Sequence, residues 1–179
     1  MKPMTFAEYV MLTHYNAISN ADELNRQPKP ERLCGRRMPN DLKWVPMGLL
    51  IEIIKDKDVI KMLTRLYNVT QNEIETECAT IVVAVINWTI GQLNAINEAF
   101  KSLDRPLTAE EIMAGLDSEE LKGDGFSTVD WYAQRMGITN HNDAMKVSWV
   151  TYYGCAKEDA RKAEIKRRLN EATNKNQRQ

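Results

Sequence analysis

Thr70–Leu103 reads TQNEIETECATIVVAVINWTIGQLNAINEAFKSL, and this stretch decides the fold class. Thr70 and Glu73 have the spacing of a capping box, in which both side chains bind backbone amides at the start of a helix. The apolar residues that follow recur at steps of four and three, with one small phase shift; they are Ile74, Cys78, Ile81, Val85, Trp88, Leu93, Ile96, Phe100 and Leu103. This is the period of one helix face. With no proline before Pro106, the pattern predicts one helix over about 70–103.

The middle of this stretch, IVVAVI at Ile81–Ile86, is apolar around most of a helix circumference. A helix that is apolar on all sides is covered by other helices. A run of β-branched residues also suits a strand. Its position inside a long, capped helical period favours the helix, and we therefore expect the other helices to pack around this one.

Outward from the centre, the same signals predict further helices. Thr5 and Glu8 form another capping box, for a helix that runs to about Ser19. Residues 47–67 predict two short helices with a break near Asp56. Three C-terminal signals predict further short helices: Thr108 with Glu111, Ser127 with Asp130 up to a left-handed C-cap at Gly137, and Thr139 or Asn140. A long last helix is expected to begin at Trp149, after a Ser148 cap.

Residues 20–46 differ from the rest of the chain. Four prolines and one glycine in this arm exclude a long helix. A loop of this length is typical of a functional arm or a packed irregular segment. Its stretch RLCGRRMP carries three arginines, Arg32, Arg36 and Arg37, which are candidate contacts with a partner.

Together these signals predict an all-α fold, a bundle of six to eight helices around one long central helix. We expect a single helical domain over 1–156, which includes the irregular arm, and a charged helical extension with a frayed tail over 157–179. At 179 residues the chain has the length of one domain.

The charge distribution limits the classes of partner. The net charge of −1 argues against a general nucleic-acid binder, which needs a basic excess to contact phosphates. Residues 104–130 hold eight acidic and two basic residues, whereas residues 157–179 hold eight basic and four acidic ones. Such runs usually face solvent. The alternative is that the basic tail binds an acidic partner or a nucleic acid.

The sequence also indicates a compartment. No secretion signal precedes the first helix, and the longest strongly apolar runs are shorter than the roughly 20 residues that span a bilayer. The three cysteines are widely spaced, as free thiols of a reducing compartment are. We therefore expect a cytoplasmic protein without a membrane partner, in the host cytoplasm if a phage encodes it.

No catalytic or metal-binding motif is found. The two histidines, His14 and His141, have no neighbouring ligand pattern, and the paired carboxylates at 110–111 and 119–120 point to different faces of a helix. A Cys/His nucleophile built from Cys34 or Cys155 has no local support. We expect no enzymatic activity, no catalytic residue, no metal and no cofactor.

Large aromatic residues are concentrated between residues 127 and 156. In a set of short helices they can form the core, because each ring removes about 150–250 Å² from water. They can also form a partner interface, where tryptophan and tyrosine dominate the binding energy. The candidates for partner binding are Trp131, Tyr132, Trp149, Tyr152 and Tyr153.

The stretches DWYAQRMGIT (130–139) and DAMKVSWVTYYGCAKEDA (143–160) resemble the ends of tail-assembly chaperones, small helical proteins of tailed phages and prophages. The resemblance is confined to this C-terminal part of the chain. It implies a protein that binds the long apolar helices of a tape-measure protein and keeps them soluble until the tail tube forms. It transfers no catalytic residue. The nine methionines suit such adaptable contacts, although a plain core uses them as well.

Our first functional expectation is therefore a non-enzymatic protein-interaction module in phage tail assembly, whose partner is a tape-measure protein or another tail or neck protein. The first alternative is a structural neck or adaptor component, in which the arm and the basic tail hold neighbouring subunits in a homo-oligomer. The second is a small DNA-binding regulator that uses the basic last helix, although we expect nucleic acid to be an unlikely partner.

Overall fold

The computed structural model describes residues 3–14, 27–116, 118 and 123–177. Within these ranges it contains nine helices and one two-stranded hairpin, which confirms the predicted all-α fold. In chain order the elements are α1 (Phe6–His14), β1 (Arg32–Leu33), β2 (Arg36–Arg37), α2 (Met47–Asp56), α3 (Val59–Tyr67), α4 (Gln71–Thr76), α5 (Ala79–Lys101), α6 (Ala109–Met113), α7 (Gly125–Met136), α8 (His141–Met145) and α9 (Trp149–Gln177).

The predicted single helix over 70–103 is in fact two helices. This division accounts for the ninth helix of the described ranges, one more than the upper limit of the expected six to eight. The capping box of Thr70 and Glu73 is present and starts α4, but this helix ends at Thr76. Glu77 is extended, and its carbonyl oxygen accepts a hydrogen bond from the amide of Phe6 at 2.9 Å. The amide of Ala79 donates to the carbonyl of Met4 at 2.9 Å, and α5 then begins. The break thus exists because the N-terminal segment pairs with it.

The side chain of Glu77 also fixes the hairpin. One carboxylate oxygen accepts the amide of Cys34 at 2.8 Å, and the other accepts the amide of Cys78 at 2.9 Å. Cys34 and Gly35 form the two-residue turn, with φ of 48° and 75°. Positive φ at both central residues is the geometry of a type I′ turn, whose twist matches that of paired strands.

The arm was expected to be irregular over 20–46, and this part of the expectation needs correction. Arg32 pairs with Arg37 and Leu33 with Arg36 in the β1–β2 hairpin. Four apolar residues anchor the arm in the core, since each is at most 4% exposed; they are Leu33, Met38, Leu42 and Val45. Residues 20–26 of the expected arm, and the predicted continuation of α1 to Ser19, lie outside the described residues.

The chain divides into two compact units. Unit 1 comprises Met1–Val45 and Ile51–Ile96, and unit 2 comprises Pro46–Leu50 and Asn97–Gln179. In unit 1 the hydroxyl of Thr89, fully buried, donates to the carbonyl of Val85 at 2.7 Å and lies 2.6 Å from the hydroxyl of Tyr67. The core of unit 2 includes Val129 and Ala144, both fully buried. The expected division at residue 156 stays a prediction.

Helix α5 is the longest apolar helix of the described chain. By length and composition alone it could cross a membrane, but core helices pass the same test. Seven of its residues are buried inside the protein: Ala79, Val82, Val83, Ala84, Val85, Thr89 and Ile96.

The helix boundaries in unit 2 follow the predicted caps with one exception. Gly137 ends α7 with φ of 67°, and Asn140 caps α8, as expected. The start of α7 at Ser127 was wrong, because Asp124 caps the helix and accepts the amide of Ser127 at 2.9 Å. Asp130, the residue paired with Ser127 in the prediction, binds His141 instead.

Candidate functional site

Three aromatic side chains of unit 2, Phe100, Trp149 and Tyr153, form a half-buried cluster, and Trp131 lines the same cleft as Phe100. Phe100 comes from the end of α5, Trp131 from α7, and Trp149 and Tyr153 from the first turns of α9. The ring of Phe100 meets that of Tyr153 edge-on, with centroids 5.6 Å apart, and lies 6.3 Å from that of Trp149. Edge-to-face contacts of this kind are favourable beyond the area they bury. The cluster therefore holds its rings in defined positions while part of their surface stays accessible.

Two of the five predicted partner-binding residues belong to the core. Tyr132 and Tyr152 are 3% and 0% exposed, and their rings stack with centroids 3.9 Å apart. The hydroxyl of Tyr152 donates to the carbonyl of Ala144 at 2.9 Å. Burial, with a smaller effect of Tyr132, raises the pKa of Tyr152 to about 12. These two side chains cannot reach a partner in this structure, and they position the helices that carry Trp131, Trp149 and Tyr153.

An aromatic cleft of about 490 Å³ opens beside this cluster. Its apolar lining comes from three helices and one loop, namely Phe100, Leu103, Trp131 and Ala156, and its polar lining consists of Asn97, Lys101, Asp104, Ser127 and Thr128. Phe100 was predicted only as part of the helical stripe and not as a site residue. Its position at the end of the long helix, shortly before Pro106, was the signal that the chain returns close to it.

The three candidate arginines of the arm have different surroundings. Arg32 donates to the carbonyl of Gly35 at 3.0 Å within the turn, and Arg36 lies 3.2 Å from the carboxylate of Glu73. The backbone amide of Thr70, the Thr70 hydroxyl and then Arg36 lower the pKa of Glu73. The guanidinium of Arg37 makes no hydrogen bond or ion pair with any described residue. Of the predicted arm contacts, Arg37 is thus the guanidinium that a ligand can engage without displacing a described partner.

A basic cleft of about 510 Å³ lies in unit 1 next to the hairpin. The buried part of its lining consists of Leu33, Met38, Leu66 and Tyr67. The remaining lining residues are Arg36, Arg37, Pro39, Asn40 and Trp44. The indole of Trp44 is 47% exposed and donates to the carbonyl of Asp41 at 3.2 Å. The hydrogen bond fixes the orientation of the ring while its surface remains accessible.

Two residues with potential chemistry, His141 and Cys155, have partners in the structure. His141, expected to cap a helix or face solvent, lies 2.8 Å from the carboxylate of Asp130. Arg135 contacts the sulfur of Cys155 at 3.0 Å and forms a bidentate pair with Asp159 at 2.9 and 3.0 Å. No group of three or more His, Cys, Asp and Glu side chains that could hold a metal occurs among the described residues. The side chain of His14 lies outside the described part.

The basic last helix satisfies many of its charges internally. Arg161 pairs with Glu158 at 3.1 Å, and Arg167 and Arg168 pair with Glu164 at 2.8 and 2.6 Å. The two arginines lower the pKa of Glu164 to about 2. These pairs reduce the local basic excess that a nucleic acid would meet on this helix.

Comparisons with protein-family models, with curated proteins and with solved structures find no match to this chain.

Proposed function

We propose that this protein is a non-enzymatic interaction module that binds an amphipathic helix of another protein in the aromatic cleft of unit 2. The observation that carries the proposal is the partly exposed cluster of Phe100, Trp149 and Tyr153 next to the cleft that Phe100 and Trp131 line. Tryptophan and tyrosine supply most of the binding energy in protein interfaces. A binding role also agrees with the contact of the His141 imidazole with Asp130 and of the Cys155 sulfur with Arg135.

The size of the cleft suits the side chains of one helix face. Its volume of about 490 Å³ has room for several apolar side chains. An amphipathic helix presents apolar side chains at i, i+3, i+4 and i+7, and such a row inserts into an apolar groove. Lys101 and Asp104 at the cleft add one charge of each sign, which can orient a partner helix.

The resemblance of residues 130–160 to tail-assembly chaperones suggests which helix this is. We infer that the partner is a long apolar helix of a phage tape-measure protein, and that binding keeps this helix soluble in the host cytoplasm before the tail tube forms. The cleft residue Trp131 and the aromatic residues Trp149 and Tyr153 all lie within the resembling stretches.

A binding titration tests the helix-binding role. The probe is a synthetic 21-residue amphipathic peptide with leucines at i, i+3, i+4 and i+7, titrated against the full chain by isothermal calorimetry. We expect Trp131→Ala to weaken binding at least tenfold, equivalent to about 1.4 kcal/mol or more, because an aromatic anchor is lost. Trp44→Ala removes an exposed tryptophan of unit 1 and is the matched control; it should change the affinity less than twofold.

A second variant guards against a folding defect in Trp131→Ala. Ser127 is exposed and lines the cleft, so Ser127→Trp fills the cleft without removing a core side chain. It should abolish peptide binding while circular dichroism and the melting temperature stay unchanged. Equal binding by the parent chain and both cleft variants, or no binding by the parent chain, would rule the proposal out. Repeating the titration with tape-measure peptides from neighbouring genes then tests the identity of the partner.

The basic cleft of unit 1 favours one alternative, a neck or adaptor component of the virion. Arg37 and Trp44 there are available to a neighbouring protein. An adaptor forms rings or occurs in mature particles, whereas a chaperone is a monomer or a dimer. Light scattering of the purified chain and mass spectrometry of mature particles distinguish the two functions.

A further inference from the structure

The basic cleft of unit 1 has the composition of a site for an anionic group next to apolar side chains. Arg37 offers a guanidinium without a described partner, and Trp44 offers a half-exposed ring with a fixed orientation. The surrounding segment, residues 27–46, holds five basic and two acidic residues, so its local charge is 5 − 2 = +3. This excess raises the local concentration of acidic partners.

The number of available arginines argues for a protein ligand. A nucleic acid is bound through many phosphates, each neutralised by a basic side chain. Here Arg32 is engaged in the turn and Arg36 by Glu73, which leaves Arg37 as the hairpin arginine open to an anion. A guanidinium binds one carboxylate through two parallel hydrogen bonds. The apolar lining of Leu33, Met38 and Leu66 then suits an aliphatic side chain beside that carboxylate.

The same chain contains a segment with the complementary properties. Residues 107–116 read LTAEEIMAGL, and Asp117, Glu119 and Glu120 follow in the sequence. Ile112, Met113 and Leu116 are exposed to 50%, 81% and 48%. These three exposed apolar side chains lie within five residues of one another, as a short interaction segment requires. The surrounding stretch, residues 104–130, has a local charge of −6, which is opposite in sign to the charge around the basic cleft. Its apolar side chains suit the apolar lining of that cleft.

We propose that the basic cleft of one copy of this protein binds the acidic segment 107–124 of a second copy, through Arg37 and Trp44 of the first and Met113 with its neighbours of the second. When two copies exchange this contact reciprocally, the assembly closes as a dimer. The dimer does not depend on the aromatic cleft of unit 2. Trp131→Ala should leave it intact, and Arg37→Glu should leave peptide binding to the aromatic cleft intact.

Sedimentation velocity of the full chain over a range of concentrations tests the proposal. We expect a monomer–dimer equilibrium whose dissociation constant rises at least tenfold in Arg37→Glu and in Met113→Ser. Lys157→Glu reverses an exposed charge on α9 and is the control, with a change below twofold. Because Met113 and Arg37 are exposed, neither variant removes a core contact.

Mixing the two defective variants provides a sharper readout. The Arg37→Glu copy keeps an intact acidic segment and the Met113→Ser copy keeps an intact cleft, so one of the two contacts can form between them. The mixture should therefore associate more strongly than either variant alone. Isolated peptide 107–124 should compete with dimer formation, and the same peptide with its acidic residues replaced by lysine should not.

Several results would overturn the proposal. One is a chain that stays monomeric at the highest concentration, which includes the case in which the segment binds within its own copy. Another is a dimer that persists in both variants. A third is a single-stranded oligonucleotide of twenty thymidines that binds more tightly than the peptide and loses this binding in Arg37→Glu, because the cleft would then be a nucleic-acid site.

Discussion

Cys34 occupies a backbone conformation that few side chains adopt. Its φ of 48° belongs to the left-handed region, where asparagine and glycine are the usual residues of a type I′ turn. Gly35 follows at 75° without strain, because it has no Cβ. The amide of Cys34 bound to Glu77 helps to hold this turn. The same position places the thiol near two carboxylates, with consequences for its reactivity.

The first prediction concerns the ionisation of Cys34. Burial, then the charges of Glu77 and Glu73, raises its pKa from 9.0 to about 11. Since the thiolate is the nucleophile, we expect alkylation of Cys34 by iodoacetamide at pH 8.5 to be at least tenfold slower in the folded chain than in urea. Peptide mass spectrometry measures both rates. Equal rates would show that the environment of the thiol is not as described.

The same shift has a consequence for stability. A folded-state pKa above the unfolded value means that the folded chain binds the proton more tightly. The contribution of Cys34 is fully present below pH 9 and is lost as the pH rises through about 11. The parent chain should therefore lose more of its free energy of unfolding between pH 8 and pH 10.5 than Cys34→Ser does. Urea unfolding of both chains at the two pH values measures this difference.

At the scale of single helices, two glycines have opposite surroundings. A Cβ on Gly48 of α2 would lie 2.8 Å from the Cβ of Met145, closer than two carbon atoms can pack, and 3.2 Å from its carbonyl oxygen, which is a tight contact. A Cβ on Gly91 of α5 would meet no atom within 4 Å. Gly48 thus permits a close helix contact, whereas Gly91 serves no packing purpose.

The second prediction uses these glycines as a matched pair. Gly48→Ala should destabilise the protein by about 1–3 kcal/mol through overpacking. Gly91→Ala should stabilise it by about 0.5–1 kcal/mol, because alanine loses less backbone entropy in a helix. Urea denaturation of both variants gives the two free energies. A loss of stability in Gly91→Ala as large as that in Gly48→Ala would contradict this account.

The helices show what the sequence could predict and what it could not. The capping boxes at Thr5, Thr70 and Thr108 form as expected, because both partners lie three residues apart. The break after Thr76 was not predictable from such local rules. Its cause is the pairing of residues 77–79 with Met4 and Phe6, far away in the sequence, while the apolar period continues across the break without a visible gap.

The same limit applied to the candidate site. Periodicity and composition found the aromatic residues but could not separate Tyr132 and Tyr152, which are buried, from Trp131, which lines the cleft. The adjacent residues Tyr152 and Tyr153 differ in burial, because they lie on different faces of α9 and meet different neighbouring side chains. That packing depends on contacts between α7, α8 and α9, which a single sequence does not specify.

At the scale of the whole molecule, Glu77 joins segments from three parts of the chain. Its backbone binds the N-terminal segment, and its carboxylate binds the hairpin turn and the start of α5. A buried or half-buried amide that loses its acceptor costs about 1–3 kcal/mol. Through these hydrogen bonds Glu77 fixes the positions of the N-terminal segment, the hairpin turn and the start of α5, which the hydrophobic core alone does not specify.

The third prediction tests this residue. Glu77→Ala should destabilise the protein by about 2–4 kcal/mol, because the amides of Cys34 and Cys78 lose a charged acceptor. Glu75→Ala removes a carboxylate two residues earlier, whose side chain binds Gln71 on the surface of α4, and should cost less than about 1 kcal/mol. Thermal and urea unfolding of both variants measure the difference. Similar losses in the two variants would exclude a special role for Glu77.

The pairing of the N-terminal segment with residues 77–79 also matters during translation. Met4 and Phe6 leave the ribosome about seventy residues before their hydrogen-bond partners, which at about 5–20 residues per second is a delay of roughly 4–14 s. For that time the backbone groups of Met4 and Phe6 lack their partners at Ala79 and Glu77, and α5 cannot begin at its final position. A chaperone that meets the emerging chain would therefore find the segment around Met4 and Phe6 still accessible.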